Sequence, residues 1–247
     1  MNTAIVIALI ALAGSVISTV VTVFGASALQ ARQDAKKVLD NYREPLLGAS
    51  YELQARLYNI LELRFVDKYI RDDPAGKRNS AIESTLYVFA QFFGWSEIIR
   101  REVQYLRFSR DRQTHEAGRL LRDISETFLA DKYGPQFMIW RVEQRGIGER
   151  MIISADGKMA CLGYASFIEH RRSMQEWLCP LERDLERLED AGRGRLSKLQ
   201  QLLVELVRQL DDQQKRYPFE LKKAGVGALS ATGAPAPPSV AADRGDQ

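Results

Sequence analysis

The amino-acid sequence predicts an all-α protein, with one small β-hairpin as the alternative at a single place. Three observations lead to this prediction. The run 4–29 contains no ionisable side chain, apolar residues recur at helical spacing through most of 43–210, and residues 224–247 are mostly Ala, Gly, Ser and Pro without an aromatic residue. We therefore expect an apolar helix at 4–29, a helical domain at 30–221 and a disordered tail at 222–247.

The apolar run 4–29 predicts an uncleaved transmembrane helix. As a helix it would be about 39 Å long, against roughly 30 Å of hydrocarbon in a bilayer. A signal peptide is one alternative, because Ala26-Ser27-Ala28 has the form of a cleavage site, but no Lys or Arg precedes the run. A core helix would normally keep a polar face. Lipid attachment needs a glycine where this chain has Asn2.

The orientation of this helix follows from the charges that flank it. Four basic residues follow the run: Arg32, Lys36, Lys37 and Arg43. Positive charge favours the cytoplasmic side, so we expect a single-pass protein of the cell membrane with its N-terminus outside and its C-terminal domain in the cytoplasm. Cys161 and Cys179 have no metal-binding or redox spacing, which predicts free, buried thiols.

A stripe of small residues recurs every fourth position in the run: Gly14, Ser18, Thr22 and Ala26. Small side chains on one face let a second membrane helix approach closely. Self-association through this stripe is one interpretation. The other is the ordinary small-residue content of an alanine-rich span.

Two long helices are predicted to open the domain. Residues 43–70 form the first, with Pro45 in its first turn. The polar segment 71–78 contains Pro and Gly and predicts a loop. Ser80 and Glu83 have the spacing of a capping box, so a second helix should begin there.

The second helix carries the densest aromatic cluster of the chain, which consists of Tyr87, Phe89, Phe92, Phe93 and Trp95. Its uncharged stretch, 84–96, is too short to cross a bilayer. We expect the cluster to pack in the core, with partial insertion into a lipid interface as the alternative.

The segment 136–167 is ambiguous. The charged run 141–150 favours a helix, and 154–158 has the composition of a turn with Asp-Gly. Our preferred interpretation is two helices joined by this turn. The alternative is one small hairpin that pairs Met151–Ile153 with Met159–Leu162.

Further helices are predicted on either side of that segment. One runs from Thr114, as N-cap, to Leu129, and another covers 164–177. Pro180 should lie in the first turn of the next helix, and Gly192 with Gly194 should mark a bend before the last. The last helix carries a leucine stripe that predicts bundle core, with dimerisation or partner binding as the alternative: Leu196, Leu199, Leu203, Leu206 and Leu210.

The sequence offers little material for known chemistry. His115 and His170, the two histidines, are expected on the surface, so a multi-histidine metal site or a Ser-His-Asp triad lacks its residues. Gly146 and Gly148 form Gly-x-Gly without the third glycine of a phosphate loop. A net charge of +3 gives no case for nucleic-acid binding. We predict no metal, no cofactor and no nucleic-acid partner.

One charged group is the best candidate for a site: Arg141, Glu143, Arg145 and Glu149. On a helix Arg141 and Arg145 share one face, and Glu149 continues the row. Exposed, the row is an ion-pair ladder; buried and fully paired, it is a structural network, and these two interpretations are the ones we favour. Buried and unpaired, it would suggest an anion site. A second network of helix ion pairs is suggested by Gln54, Arg56, Glu97, Arg100, Arg101 and Glu102.

Four strings give the chain a resemblance to known sequences. They are YREPLL at 42–47, LQARLYNI at 53–60, FFGWSEIIRRE at 92–102 and EQRGIGE at 143–149. Between about 42 and 167 the chain resembles uncharacterised bacterial proteins, mainly actinobacterial, that have one N-terminal transmembrane helix. The resemblance implies a cytoplasmic domain and no particular activity.

These observations favour an adaptor or scaffold that is anchored in the membrane by one helix and acts through protein or lipid contacts. Its expected partners are the lipid bilayer and, through helices, a second copy or another protein. The alternative is a membrane-tethered enzyme or small-ligand binder that uses the Arg141 group between helices. An enclosed pocket lined by that group would favour the alternative.

Overall fold

The computed structural model describes residues 42–104, 112–155 and 157–211, and this part of the chain is mostly helical. The all-α prediction is confirmed in the form that includes one small hairpin. The predicted span 4–29, its small-residue stripe and the tail 222–247 lie outside these residues. Within them, no helix has both the length and the apolar character that crossing a membrane requires.

The described residues form seven α-helices and one antiparallel hairpin. In chain order they are α1 (42–62), α2 (Arg78–Gln104), α3 (Arg112–Leu129), α4 (Arg141–Met151), β1 (Ile152–Ala155), β2 (Lys158–Cys161), α5 (Tyr164–His170), α6 (Gln175–Glu186) and α7 (Asp190–Leu210). Short π- or 3₁₀-helical turns occupy Asp67–Arg71, Asp131–Tyr133 and Arg171–Met174.

The first helix ends earlier than the predicted 43–70. Helix α1 stops at residue 62, and Arg64 adopts a left-handed backbone with φ of 54°. The chain then forms a separate turn that buries Ile70. The residues between Leu61 and Phe65 are exposed, so the helical spacing of buried apolar residues is interrupted there. One continuous helix would therefore not bury the apolar residues on both sides of this interruption.

The predicted capping box is not formed, because α2 already begins at Arg78 and Ser80 is an exposed position inside it. Lys77 N–H donates to the Asp73 carboxylate at 2.5 Å. Thr114 likewise lies inside α3, which is helical from Arg112, so its prediction as an N-cap is wrong.

The aromatic cluster on α2 packs in the core, as expected. Phe89, Phe92 and Phe93 are at most 3% exposed. The Phe93 and Phe128 rings lie 5.1 Å apart, edge to face, which joins α2 to α3. The same core takes in the leucine stripe of α7, where each of the five leucines is buried. The leucine stripe of α7 is therefore part of the domain core, where α7 packs against α3.

The preferred interpretation of two helices around 154–158 is wrong, and the hairpin alternative is confirmed. Strands β1 and β2 pair from Ile152 opposite Cys161 to Ala155 opposite Lys158. Gly157 has a φ of +73° in the connecting turn, a conformation that favours glycine. The two consecutive isoleucines directly after α4, Ile152 and Ile153, favour strand over helix, and the tight turn then reverses the direction of the chain.

Two predictions about α6 and α7 are corrected. Pro180 lies inside α6, beyond its first turn. A proline leaves the carbonyl four residues earlier, at Glu176, without its helical hydrogen bond, and this is tolerated because Glu176 is exposed. The bend between the helices falls at 187–189, before Gly192. Gln136 bridges that bend, because its amide donates to Arg187 O at 2.7 Å and accepts from Glu189 N–H at 3.0 Å.

Candidate functional site

A groove of about 500 Å³ lies between α2, α3 and α4. Its floor is apolar and its edge is basic. The apolar residues are Phe92, Phe93, Ile99, Leu121 and Ile124. The basic residues are Arg100, Arg122, Arg141 and Arg145, against two acidic residues, Glu97 and Glu126. The volume is within the range of small-molecule sites.

Each helix contributes one face to the groove. On α2 the lining residues from Phe92 to Arg100 recur at three- and four-residue spacing, and Leu121 with Ser125 does the same on α3. Buried Gln144 fixes α4 against α3. Its amide donates to Ile139 O at 2.8 Å, and its carbonyl accepts from the Ser125 hydroxyl at 2.8 Å.

Two helical glycines let α4 lie close against α2. A Cβ atom on Gly148 would come within 2.7 Å of the Phe93 carbonyl oxygen and 2.9 Å of Glu97 Cβ. A Cβ atom on Gly94 would come within 2.8 Å of Met151 Cβ. These contacts are shorter than real Cβ contacts, so the helix pair requires glycine at both positions.

A buried carboxylate organises the polar wall of the groove. Glu97 is 3% exposed and accepts two hydrogen bonds of 2.6 Å from Arg100 and one of 2.8 Å from Arg101. Arg101 also contacts Glu149 of α4 at 2.9 Å. Burial alone would raise the pKa of Glu97, but the hydrogen bonds from the two arginines outweigh it, and the pKa lies below its ordinary value.

The structure separates the predicted group of four charged residues. Arg141 and Arg145 line the groove. Glu143 instead accepts a hydrogen bond from Trp140 N–H at 2.7 Å and caps α4, while Glu149 pairs with Arg101. Arg141 is paired with Glu126 of α3. The four side chains therefore do not form one cluster, and only the two arginines belong to the candidate site.

Two of the groove arginines have no such partner. Arg122 and Arg145 are both exposed, and the structure gives neither of them an ion pair or hydrogen bond with another described side chain. The Ser96 hydroxyl, which also lines the groove, is buried without a hydrogen-bond partner. The groove therefore offers free donors to an anion above an apolar floor.

The second predicted network is only partly formed. Glu97, Arg100 and Arg101 do pair with one another, as described above. Arg56 lies elsewhere: its guanidinium donates to the Thr85 hydroxyl at 3.0 Å and lies 4.5 Å from the centre of the Phe65 ring.

Sequence reasoning missed five polar or charged residues of the site: Ser96, Arg122, Ser125, Glu126 and Gln144. Each is an ordinary helical residue in the sequence, and no spacing distinguishes it. A usable signal did exist at Gly148, because a glycine in the middle of a charged helix costs stability unless a neighbour lies close.

The histidines and cysteines of the chain lie outside the groove. His115 and His170 are exposed, as expected, and neither lines the groove. Cys161 and Cys179 are unbridged and half-buried, less buried than expected. Burial raises the pKa of the Cys161 thiol to about 12. In the part of the chain that the structure describes, no three His, Cys, Asp or Glu side chains are grouped as metal ligands.

Comparison of the chain with protein-family models, with curated proteins and with solved structures found no match to any of them. The resemblance to uncharacterised bacterial proteins stays a prediction.

Proposed function

We propose that this protein is a membrane-anchored binding protein whose helical domain holds an amphiphilic anion in the groove between α2, α3 and α4. One observation carries the proposal. The groove combines an apolar floor with four arginines, of which Arg122 and Arg145 are without a partner among the described residues. The apolar floor would bind the body of the ligand, and the guanidinium groups would bind its anionic end.

The apolar floor and the arginines contribute differently to the binding free energy. Burial of apolar surface contributes about 25 cal/mol per Å² and is not selective for charge. A hydrogen bond to a charged group contributes about 1.5–3 kcal/mol, which corresponds to roughly tenfold to a hundredfold in affinity. We therefore expect the floor to supply affinity and the arginines to supply the preference for anions.

The geometry supports binding rather than catalysis. A general base needs a carboxylate that is free to take a proton, whereas Glu97 is held by two arginines with its pKa lowered, and Glu126 is paired with Arg141. The Ser125 hydroxyl is bonded to Gln144. We therefore favour a small-ligand binding protein over an enzyme. The adaptor role would follow from ligand binding, because a partner protein would recognise the ligand-bound state of α2, α3 and α4.

The predicted span 4–29 supplies the location in this proposal. It would keep the domain beside a bilayer on the cytoplasmic side. The tail 222–247 and the small-residue stripe have no part in the binding step.

The test uses a pair of fluorescent probes that differ only in the presence of a sulfonate group. The full chain is placed in phosphatidylcholine nanodiscs and titrated with anilinonaphthalene sulfonate or with the neutral N-phenylnaphthylamine, and empty nanodiscs are subtracted. We expect saturable binding of the sulfonate, and Arg145→Gln should weaken it about tenfold because one charge-assisted hydrogen bond is lost. Binding of the neutral probe should not change.

Arg150→Gln is the matched control. Arg150 is an exposed arginine on the same helix and does not line the groove, so the change in net charge is identical. Equal effects of Arg145→Gln and Arg150→Gln on sulfonate binding would contradict the proposal, as would absence of saturable binding.

A further inference from the structure

Two exposed apolar side chains lie beside the basic edge of the groove. Trp140 is 62% exposed and Val142 is 68% exposed, and they flank Arg141, which lines the groove. Val142 is three residues before Arg145 on α4, so the two side chains are neighbours on the helix surface. Tryptophan next to arginine is a combination typical of a membrane–water interface.

The acidic residues around this edge do not cancel its positive charge. Glu97, Glu126 and Glu149 each pair with an arginine, and Glu143 caps the N-terminus of α4. Arg122 and Arg145 have no carboxylate partner in the described chain. The open charge at this edge is therefore positive, and it complements an anionic surface.

The described domain begins at Tyr42 of α1, which packs against α2, one of the three helices that line the groove. Tyr42, its first residue, has its ring centre 6.2 Å from that of Trp95. Trp95 itself does not line the groove, but it lies on the same helix as Ser96, which does. From Leu29, the end of the predicted span, to Tyr42 the chain can reach at most about 45 Å. A linker of this length allows the domain to lie on the bilayer surface with the groove facing it.

We infer that the occupant of the groove is an anionic phospholipid of the membrane to which the chain is anchored. The arginine edge would contact the phosphate, an acyl chain would contact the apolar floor, and Trp140 with Val142 would enter the interface beside it. This inference rests on the proposed function, and it commits the amphiphilic anion to a lipid source rather than a soluble one.

The first experiment measures which lipid the groove retains. The full chain is placed in nanodiscs of equal phosphatidylglycerol and phosphatidylcholine, extracted in neutral detergent, and the retained lipids are quantified by mass spectrometry. We expect enrichment of phosphatidylglycerol. The variant Arg122→Gln/Arg145→Gln should reduce that enrichment by about fivefold for each arginine. The control Arg150→Gln/Arg172→Gln removes two exposed arginines outside the groove and should retain it.

The second experiment asks whether Trp140 meets the bilayer. Fluorescence quenching by lipids with brominated acyl chains is measured for the unaltered protein and for Trp140→Phe, and the difference isolates Trp140. We expect that difference to be quenched in brominated phosphatidylglycerol. Both double variants are checked by circular dichroism, since each replaced arginine is exposed and should leave the fold intact.

The outcomes separate this inference from the proposed function. Saturable sulfonate binding without phosphatidylglycerol enrichment would overturn the lipid source and leave the anion site standing. Enrichment that is equal in both double variants would overturn the inference, because the groove would not be the cause. Loss of sulfonate binding as well would overturn both proposals.

Discussion

Replacing Gly148 by alanine tests whether the close approach of α4 to α2 holds the groove together. The added Cβ would lie 2.7 Å from the Phe93 carbonyl oxygen and 2.9 Å from Glu97 Cβ. Neither is the end of a flexible side chain, so the helices must move apart. Overpacking of this kind costs typically about 1–3 kcal/mol, and contact with backbone places it near the upper end.

Helix propensity acts in the opposite direction. Alanine is more favourable than glycine inside a helix by about 1 kcal/mol. We therefore expect Gly148→Ala to lower the free energy of unfolding by about 2 kcal/mol, which for a domain of this size lowers Tm by about 4–8 °C. Circular dichroism of the full chain in neutral detergent, followed on heating, measures this shift.

Gly118 provides the matched control within the same bundle. It is also helical, and an added Cβ would meet only Arg122 Nη1, at 3.9 Å. Gly118→Ala should therefore gain the propensity term alone and raise Tm by about 2–4 °C. Shifts of the same sign and size in the two variants would refute the argument, because propensity would then explain both without any helix contact.

Three further predictions concern buried charge and the thiol. Glu97→Gln should lower the free energy of unfolding by about 2 kcal/mol at neutral pH. The loss is smaller than for a fully buried ion pair because Arg100 and Arg101 are partly exposed to water. Because the pKa of Glu97 is lowered in the folded protein, its stabilisation is present above its ordinary pKa of 4.5 and is lost as the pH falls towards the folded pKa. Urea unfolding at several pH values should therefore show that the unfolding free energy of the variant falls less steeply with acid than that of the unaltered protein. An equal fall in both proteins would contradict this prediction. Arg195→Met should lower the free energy of unfolding by about 3 kcal/mol or more, because Arg195 is fully buried and donates to four backbone carbonyls, those of Thr127, Phe128, Ala130 and Gly134. The control Arg208→Met, at an exposed position, should change it by less than about 0.5 kcal/mol. Equal losses in the two variants would show that the carbonyl contacts contribute nothing. Cys161, with a pKa near 12, should resist iodoacetamide at pH 8 in the folded protein and react after unfolding, measured by peptide mass spectrometry; rapid reaction of the folded protein would contradict its burial.

The helical core was largely predictable, since its signals are local. Phe89, Phe93 and the leucines of α7 follow the 3.6-residue period of a buried helix face, and the structure buries them. Element boundaries were less predictable. Ser80 has the spacing of a cap, yet the Lys77 amide is already bonded to Asp73 and the helix begins earlier. The sequence after α4 is compatible with a hairpin or with two helices, because isolated short strands carry no distinctive period.

The candidate site was predictable only in part. Arg141 and Arg145 are predictable from the sequence because they share a helix face, and they do line the groove. Glu143 and Glu149 shared the same sequence pattern, but the former caps α4 and the latter pairs with Arg101 of α2. Which side chain meets which helix depends on the rotation of α4 about its axis, and no local pattern specifies that rotation.

By itself the sequence determined the class of the domain, because the periodicity of apolar residues and the sites where helices break are properties of neighbouring residues. The tertiary structure alone decided where a ligand could bind. Arg100, Arg122 and Arg145 come from three helices and are far apart in the chain, and they share one groove because Gly94 and Gly148 let α4 pack closely on α2. Contacts between distant segments depend on the packing of whole helices, which no short stretch of sequence encodes.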